Sequence, residues 1–266
     1  MHVSYLDQYL DLDSIVHRLD GRAKLLATVA FVLACTLTPA GRWGAFAALA
    51  LLWAVVAAVA RVPHGVLVRR GLVALPFALA AVTLLFTRPG VPWWTLAIGS
   101  WRLSLSDAGA IAFASIMLKS WLSVLMALLL TATTSYPALM QALRQVGMPT
   151  LLVAIISFLY RYLFVLADEA QRLLRARAAR SARPAGVRAG GSIAWRARVA
   201  GGLVGNLFLR SYARSERIYQ AMVSRGYRGE LRTLARGRFS RGDAIALIGF
   251  ILILGAIEGA TGLGRL

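Results

Sequence analysis

The stretch that decides the fold class is "WGAFAALALLWAVVAAVA", Trp43–Ala60, which holds 18 residues and no charged side chain. An apolar run of this length can cross the hydrocarbon core of a bilayer as a helix. Because lipid offers no hydrogen bonds to the backbone, a helix is the expected form. Four further runs have 17 to 25 residues and at most one charge each: Leu25–Gly41, Gly71–Thr87, Ala108–Ala132 and Ala244–Gly264. The sequence therefore predicts an all-α, polytopic membrane protein with about five transmembrane helices.

The composition fits this class and disfavours several others. The chain is 59% hydrophobic with a mean hydropathy of +0.67, whereas soluble domains are about 45–50% apolar. Its single cysteine, Cys35, lies inside an apolar run and offers neither a disulfide framework nor a thiolate metal site. Residues 1–24 are polar and mixed in charge, unlike a cleavable signal peptide.

The net charge of +19 is explained by topology more economically than by nucleic-acid binding, so no nucleic-acid partner is expected. Cytoplasmic segments of membrane proteins are enriched in Arg and Lys. The basic loop Arg61–Arg70 is predicted to be cytoplasmic, and so is the N-terminus. The segment Arg88–Asp107 has few charges and three tryptophans, which suit the outer membrane interface.

The region after the fourth span is the most basic part of the chain. Residues 168–242 contain 17 arginines and four acidic residues, a balance of about +13, and are predicted to be cytoplasmic. The preceding apolar run, Leu151–Ala167, is short and interrupted by Arg161. We therefore expect Thr150–Ser181 to form one long helix that lies against the membrane face, with a sixth span as the alternative.

Three cytoplasmic or interfacial helices are predicted in this region. Their expected bounds are Ser135–Val146, Thr150–Ser181 and about Val199–Arg225, with the connector Ala182–Ala194 before the third. The chain thus divides into a membrane domain, 1–132, a coupling domain, 133–242, and a C-terminal transmembrane helix, 243–266.

The third helix is predicted to be amphipathic. At 100° per residue, one face carries apolar side chains that should pack on a neighbour: Val204, Phe208, Tyr212, Tyr219 and Met222. The opposite face carries a basic row: Arg210, Arg214, Arg217 and Arg225. Gly226 should end this helix with a left-handed residue.

Two helix ends share a pattern of a small residue, an arginine, and then Ser or Gly. They are "AARS" at Ala178–Ser181 and "VSRG" at Val223–Gly226. An arginine at a helix C-terminus complements the helix dipole and offers five donors to carboxylates of a partner. We interpret the two ends as docking sites for similar partners; the alternative is a solvated or lipid-phosphate-facing surface.

Four segments in order resemble the transmembrane T component of energy-coupling factor (ECF) transporters, and within it the CbiQ family of cobalt transport proteins. They are "HRLDGRAKLL", "ALRQVGMP", "DEAQRLLRARAARS" and "SERIYQAMVSRGYRGE". In the first segment Gly21 stands where the family usually has proline. The last two segments resemble the helices that end in the family's two Ala-Arg-Gly motifs.

The resemblance implies a subunit that joins two cytoplasmic ABC ATPases to a membrane S component that binds the substrate. The ATPase-docking residues would be Ala179, Arg180 and Ser181 in the first motif and Ser224, Arg225 and Gly226 in the second, with Arg210, Arg214 and Arg217 as a supporting basic face. The resemblance further implies that ATP is bound by the ATPases and cobalt by the S component, so that this chain binds no cofactor or metal itself. Its location would be the bacterial cytoplasmic membrane.

Other functions are disfavoured by the residues themselves. No GxxxxGK[ST] phosphate loop occurs, so the chain is not expected to hydrolyse ATP. Its three histidines, His2, His17 and His64, are scattered and do not suggest a metal site. Lys119 lies within a span, either as a functional charge or paired with a carbonyl. Nickel or a vitamin as substrate, a free-standing channel or carrier, and a membrane enzyme remain as alternatives.

Overall fold

The computed structural model describes residues 9–72, 82, 83, 85, 92–98, 101–180, 192–229 and 239–263. Its elements in chain order are α1 Ile15–Arg18, α2 Gly21–Leu37, α3 Trp43–Val59, α4 His64–Gly71, β1 Pro92–Ile98, β2 Trp101–Ser106, α5 Asp107–Thr133, α6 Tyr136–Gln145, α7 Thr150–Arg180, α8 Ile193–Ser224 and α9 Arg241–Leu263. The predicted predominance of helices is confirmed. The predicted span Gly71–Thr87 lies almost entirely outside the described residues, as do Met1 and His2.

Two of the predicted spans, Ala108–Ala132 and Ala244–Gly264, correspond to long apolar helices, and Trp43–Ala60 corresponds to a shorter one. Within the described residues, three helical segments are long and apolar enough to cross a membrane: Asp107–Thr133, Thr150–Arg180 and Arg241–Ala260. Helices α2 and α3 have 17 residues each, which is about 26 Å at 1.5 Å per residue. Length and composition thus permit α7 to span, whereas its predicted course along the membrane face stays a prediction.

An antiparallel hairpin precedes α5. Strand β1 pairs with β2, with Ile98 opposite Trp101 and Leu96 opposite Leu103, and the register shifts between Pro92 and Trp94. Only an interfacial position was predicted for this tryptophan-containing segment, and the two strands were not predicted. The second strand continues directly into α5, where the Ser106 hydroxyl caps the helix by accepting a hydrogen bond from the Gly109 backbone N–H at 3.0 Å.

The chain forms two compact units. The first, called here the packed unit, comprises Ser4–Val146 and Arg236–Leu266; the second, called the arginine-rich unit, comprises Met1–Val3 and Gly147–Ala235. The predicted coupling domain 133–242 therefore divides between them, because α6 packs on α2 within the packed unit. Gly21, at the first turn of α2, allows this close approach: a Cβ there would lie 3.2 Å from the Ala138 carbonyl oxygen.

A hydrophobic core holds the packed unit together. Phe31 of α2, Leu49 of α3 and Leu125 of α5 are buried in it, and α9 contributes Leu254. Large apolar side chains also point outward from the same helices, among them Leu33, Leu51, Val55, Ile245 and Leu252. Helices that are apolar on both their inner and outer faces are typical of membrane spans, since hydrocarbon covers the outer face.

Polar contacts join three helix ends at one side of the packed unit. The Asp20 backbone N–H donates to Asp243 Oδ1 at 3.0 Å, which joins the starts of α2 and α9. The buried Lys24 ammonium of α2 donates to the Thr133 carbonyl at 2.8 Å, which joins the end of α5 to the start of α2. These three ends are the ones that the predicted topology places on the same side of the membrane.

At the opposite side of the packed unit, Lys119 is paired with a backbone carbonyl. Its ammonium donates to the Thr36 carbonyl at 2.9 Å, near the C-terminus of α2. Helix C-termini leave carbonyl groups without intrahelical donors. Beside it, the Thr38 hydroxyl donates to Glu258 Oε1 of α9 at 2.5 Å. The carbonyl-paired interpretation of Lys119 is the one that the structure supports.

Candidate docking site

The two helices that carry the candidate residues are the longest in the described structure, with 31 residues in α7 and 32 in α8. Helix α7 has the predicted start at Thr150 and extends to Arg180, and the predicted end at Ser181 lies outside the described residues. Helix α8 begins at Ile193, six residues earlier than predicted. Ser192 explains the difference, because its hydroxyl accepts a hydrogen bond from the Trp195 N–H at 3.2 Å and caps the helix.

The first candidate tip is the end of α7. Ala179 and Arg180 are its last two residues, and both are exposed. Ser181 lies outside the described residues. The guanidinium of Arg180 thus belongs to the last helical turn, where a positive charge interacts favourably with the helix dipole.

The second candidate tip is the end of α8, and its geometry is the predicted left-handed cap. Gly226 has φ +82°, and its N–H donates to the Val223 carbonyl at 2.9 Å. The Tyr227 N–H donates to the Met222 carbonyl at 3.0 Å. This pair of hydrogen bonds is a Schellman motif. It turns the chain away directly after Arg225, whose side chain is exposed.

A cluster of charges joins α7 to α8 within the arginine-rich unit. The Glu169 carboxylate on α7 accepts a hydrogen bond from Arg210 Nη1 at 2.8 Å, and Arg172 Nη2 and Arg214 Nη2 lie 3.8 Å from its other oxygen. The Glu169 side chain is only 13% exposed. We call these four residues the Glu169 cluster. Since three guanidinium groups face one carboxylate, the cluster has an excess of two positive charges.

The observed orientation of α8 differs from the predicted one. Val204, Phe208 and Tyr212, predicted to be buried, are 66%, 67% and 64% exposed. The half-buried stripe of α8 instead comprises Val199, Leu203, Leu207, Ser211, Arg214, Ile218 and Met222. The stripe faces α7 because Glu169 binds Arg210 and Arg214. Of the predicted supporting basic face, Arg210 and Arg214 belong to this cluster, whereas Arg217 is exposed and lies outside it.

An elongated groove lies between α7 and α8 beside the cluster. Its volume is about 440 Å³, and its lining is predominantly apolar. Helix α7 contributes residues from Ile155 to Leu166, and α8 contributes residues from Ser211 to Met222. Arg214 lines the groove as well as facing Glu169, so the groove and the cluster adjoin.

The role of Glu169 across the two helices was not predicted. Only its pair with Arg172, three positions later on the same helix, follows a local pattern. The bonds to Arg210 and Arg214 depend on how α7 and α8 are placed beside each other, which no local pattern gives. Within the described residues, no group of three or more His, Cys, Asp or Glu side chains is arranged to hold a metal ion.

Comparisons with known proteins show which family the chain resembles. A family model described as CbiQ, cobalt transport protein, matches residues 13–234, a segment that contains both candidate tips. The energy-coupling factor transporter transmembrane protein EcfT of Heliobacterium modesticaldum is 33% identical over 234 residues, 84% of either chain. EcfT of Listeria innocua is 30% identical over 274 residues, 97% of this chain and 98% of the relative. An uncharacterized protein of Methanocaldococcus jannaschii is 25% identical over 258 residues, 95% and 85% of the two chains.

Proposed function

The chain belongs to the CbiQ family, whose relatives include the transmembrane proteins of ECF transporters, and we propose that it couples two cytoplasmic ATPases to a substrate-binding S component in the membrane. In this proposal ATP is bound and hydrolysed by the ATPases, and the chain itself is not an enzyme. It transmits their motion to the membrane partner through α7 and α8. The arginine-rich unit lies on the cytoplasmic side.

The observation that carries the proposal is the pair of exposed arginines at the ends of two long helices that are joined to each other. Arg180 ends α7 and Arg225 follows α8, and the Glu169 cluster binds one helix to the other. Helices connected in this way can transfer a displacement of one end to the rest of the unit. An exposed guanidinium at each end suits a carboxylate-bearing surface on a partner.

We propose cobalt ion as the substrate, held by the S component and passed inward when the ATPases act. The support is the description of the matching family as cobalt transport proteins. The names of the EcfT relatives state energy coupling without a substrate. Nickel or a vitamin is therefore the second candidate. Uptake of radioactive cobalt by cells that express the complete complex, with nickel as competitor, distinguishes the two metals.

A double substitution at the tips tests the coupling role. Arg180→Ala with Arg225→Ala should abolish co-purification of the ATPases, because both guanidinium groups are lost, while the chain stays in the membrane. The matched control is Arg175→Ala with Arg198→Ala, which also removes one exposed arginine from each helix. The control should retain the ATPases. Equal retention by both double variants would contradict the assignment of the tips.

A further inference from the structure

The groove between α7 and α8 combines an apolar channel with a charged end. Its α7 wall, from Ile155 to Leu166, covers 12 positions, or about 16 Å along a helix. Its α8 wall includes Ile218, Tyr219 and Met222. The volume of about 440 Å³ lies within the range of small-molecule pockets.

Positive charge is concentrated where the apolar α7 wall ends. Glu169 follows Leu166 by three positions, about one helical turn, and the guanidinium groups of the Glu169 cluster gather there. Arg214 belongs to both features, since it lines the groove and faces Glu169. A single carboxylate cannot neutralise three guanidinium groups, so two positive charges remain for an external anion. The side chains of Arg210 and Arg214 are 60% and 35% exposed, which leaves donors accessible.

We propose that this groove binds an anionic phospholipid, with one acyl chain along the apolar walls and the phosphate at Arg210 and Arg214. Charge complementarity selects the occupant. A free inorganic phosphate would leave the apolar walls unused, and an uncharged apolar segment would leave the excess positive charge unused. A lipid with a negative head group uses both parts. Helix α7 is apolar and long enough to enter the bilayer that supplies such lipids.

Native mass spectrometry of the purified chain tests the site, with phosphatidylglycerol and phosphatidylcholine as probes. The wild-type chain should retain phosphatidylglycerol preferentially. Arg214→Gln should weaken that retention about fivefold, since one basic residue near a membrane surface contributes about this much. Arg198→Gln, which removes an exposed arginine from the same helix outside the groove, should leave retention unchanged. Arg214→Lys should keep part of the binding because it keeps the charge.

A second variant tests the apolar part. Ser215→Phe places a large side chain in the groove lining and should reduce phosphatidylglycerol retention without changing the net charge. Circular dichroism and gel filtration verify that each variant is folded. Three outcomes would overturn the proposal: equal binding of the two lipids, equal loss in Arg214→Gln and Arg198→Gln, or unchanged retention in folded Ser215→Phe. The last result would mean contact with the head group alone, on a generally basic surface.

These measurements use the chain without ATPases or an S component. Failure of lipid binding therefore leaves the proposed coupling function intact, and failure of ATPase docking leaves the lipid site intact. If Ser215→Phe instead prevents association with a membrane partner while lipid retention is unchanged, the groove is a protein interface and the lipid proposal is wrong.

Discussion

The two units of the chain differ in how their helices use apolar surface. Helix α5 of the packed unit buries residues along its whole length, including Leu122, Leu125 and Leu129. Helix α8 of the arginine-rich unit, although longer, contains no buried residue, and α7 buries only Val153 and Ala154. The packed unit thus stabilises itself through its own core. In the arginine-rich unit, nearly all described side chains of α7 and α8 are half-buried or exposed.

This difference matches the division of labour in the proposed function. A membrane scaffold needs a fixed arrangement of helices, which a packed core supplies. A coupling element needs surfaces that bind partners, and such surfaces stay exposed in the isolated subunit. The exposed Phe208 and Tyr212 of α8 are then interpreted as partner- or lipid-facing residues rather than as faults of packing.

The largest expected effect is in the packed core. Leu125→Ala should lower the free energy of unfolding by about 2–5 kcal/mol, because it leaves a cavity among α4, α5 and their neighbours. Phe208→Ala should change it by less than about 0.5 kcal/mol, since Phe208 is 67% exposed. Thermal unfolding of both variants in the same detergent measures the contrast. Similar losses for the two would remove the distinction between the units.

A smaller effect is expected at the contact between α7 and α8. Glu169→Gln removes the carboxylate that three arginines share and should cost about 1 kcal/mol, discounted for the exposure of the arginines. Distances between spin labels at positions 180 and 225, in a Cys35→Ser background, should become more broadly distributed. Glu216→Gln on α8, whose carboxylate accepts a hydrogen bond from Gln220 of the same helix, is the control and should leave the distribution narrow. Identical distributions in both variants would show that Glu169 does not hold the helices together.

An effect of similar size, but confined to one helix end, is expected at the second tip. Gly226→Ala forces a left-handed residue with a Cβ and should destabilise the end of α8 by about 1 kcal/mol. Amide exchange at Tyr227, whose N–H closes the cap, should then accelerate about fivefold. Gly205→Ala, in the interior of the same helix with open space around the added Cβ, should instead stabilise α8 slightly. Unchanged exchange in Gly226→Ala would mean that the cap does not order the tip.

Much of the fold is predictable because apolar length and helix-ending residues are local signals. The end of α2 at Leu37 follows from Pro39, since the residue before a proline is driven out of the helical region. The start of α6 follows from Pro137 in its first turn, and its end follows from Gly147, whose φ is +111°. The two arginine ends were also found from local pattern alone.

The errors in the sequence analysis have physical causes. The buried face of α8 was chosen by apolarity, but in a membrane subunit an apolar face also suits lipid or another chain, so apolarity does not identify the neighbour. The hairpin was not predicted because the tryptophans were interpreted as interfacial residues. The alternation of apolar and polar residues in "WRLSLS", Trp101–Ser106, indicates a strand. The bonds from Glu169 to α8 depend on the placement of two distant segments, which single-residue patterns do not contain.

The most direct test of the account is the side of the membrane on which the second tip lies. A single cysteine at position 225, introduced into a Cys35→Ser chain, can be treated with a membrane-impermeant maleimide in intact cells and in inside-out vesicles. The account predicts labelling in the vesicles and none in the cells, because the ATPases reach only the cytoplasmic side. Labelling of position 225 in intact cells would contradict it.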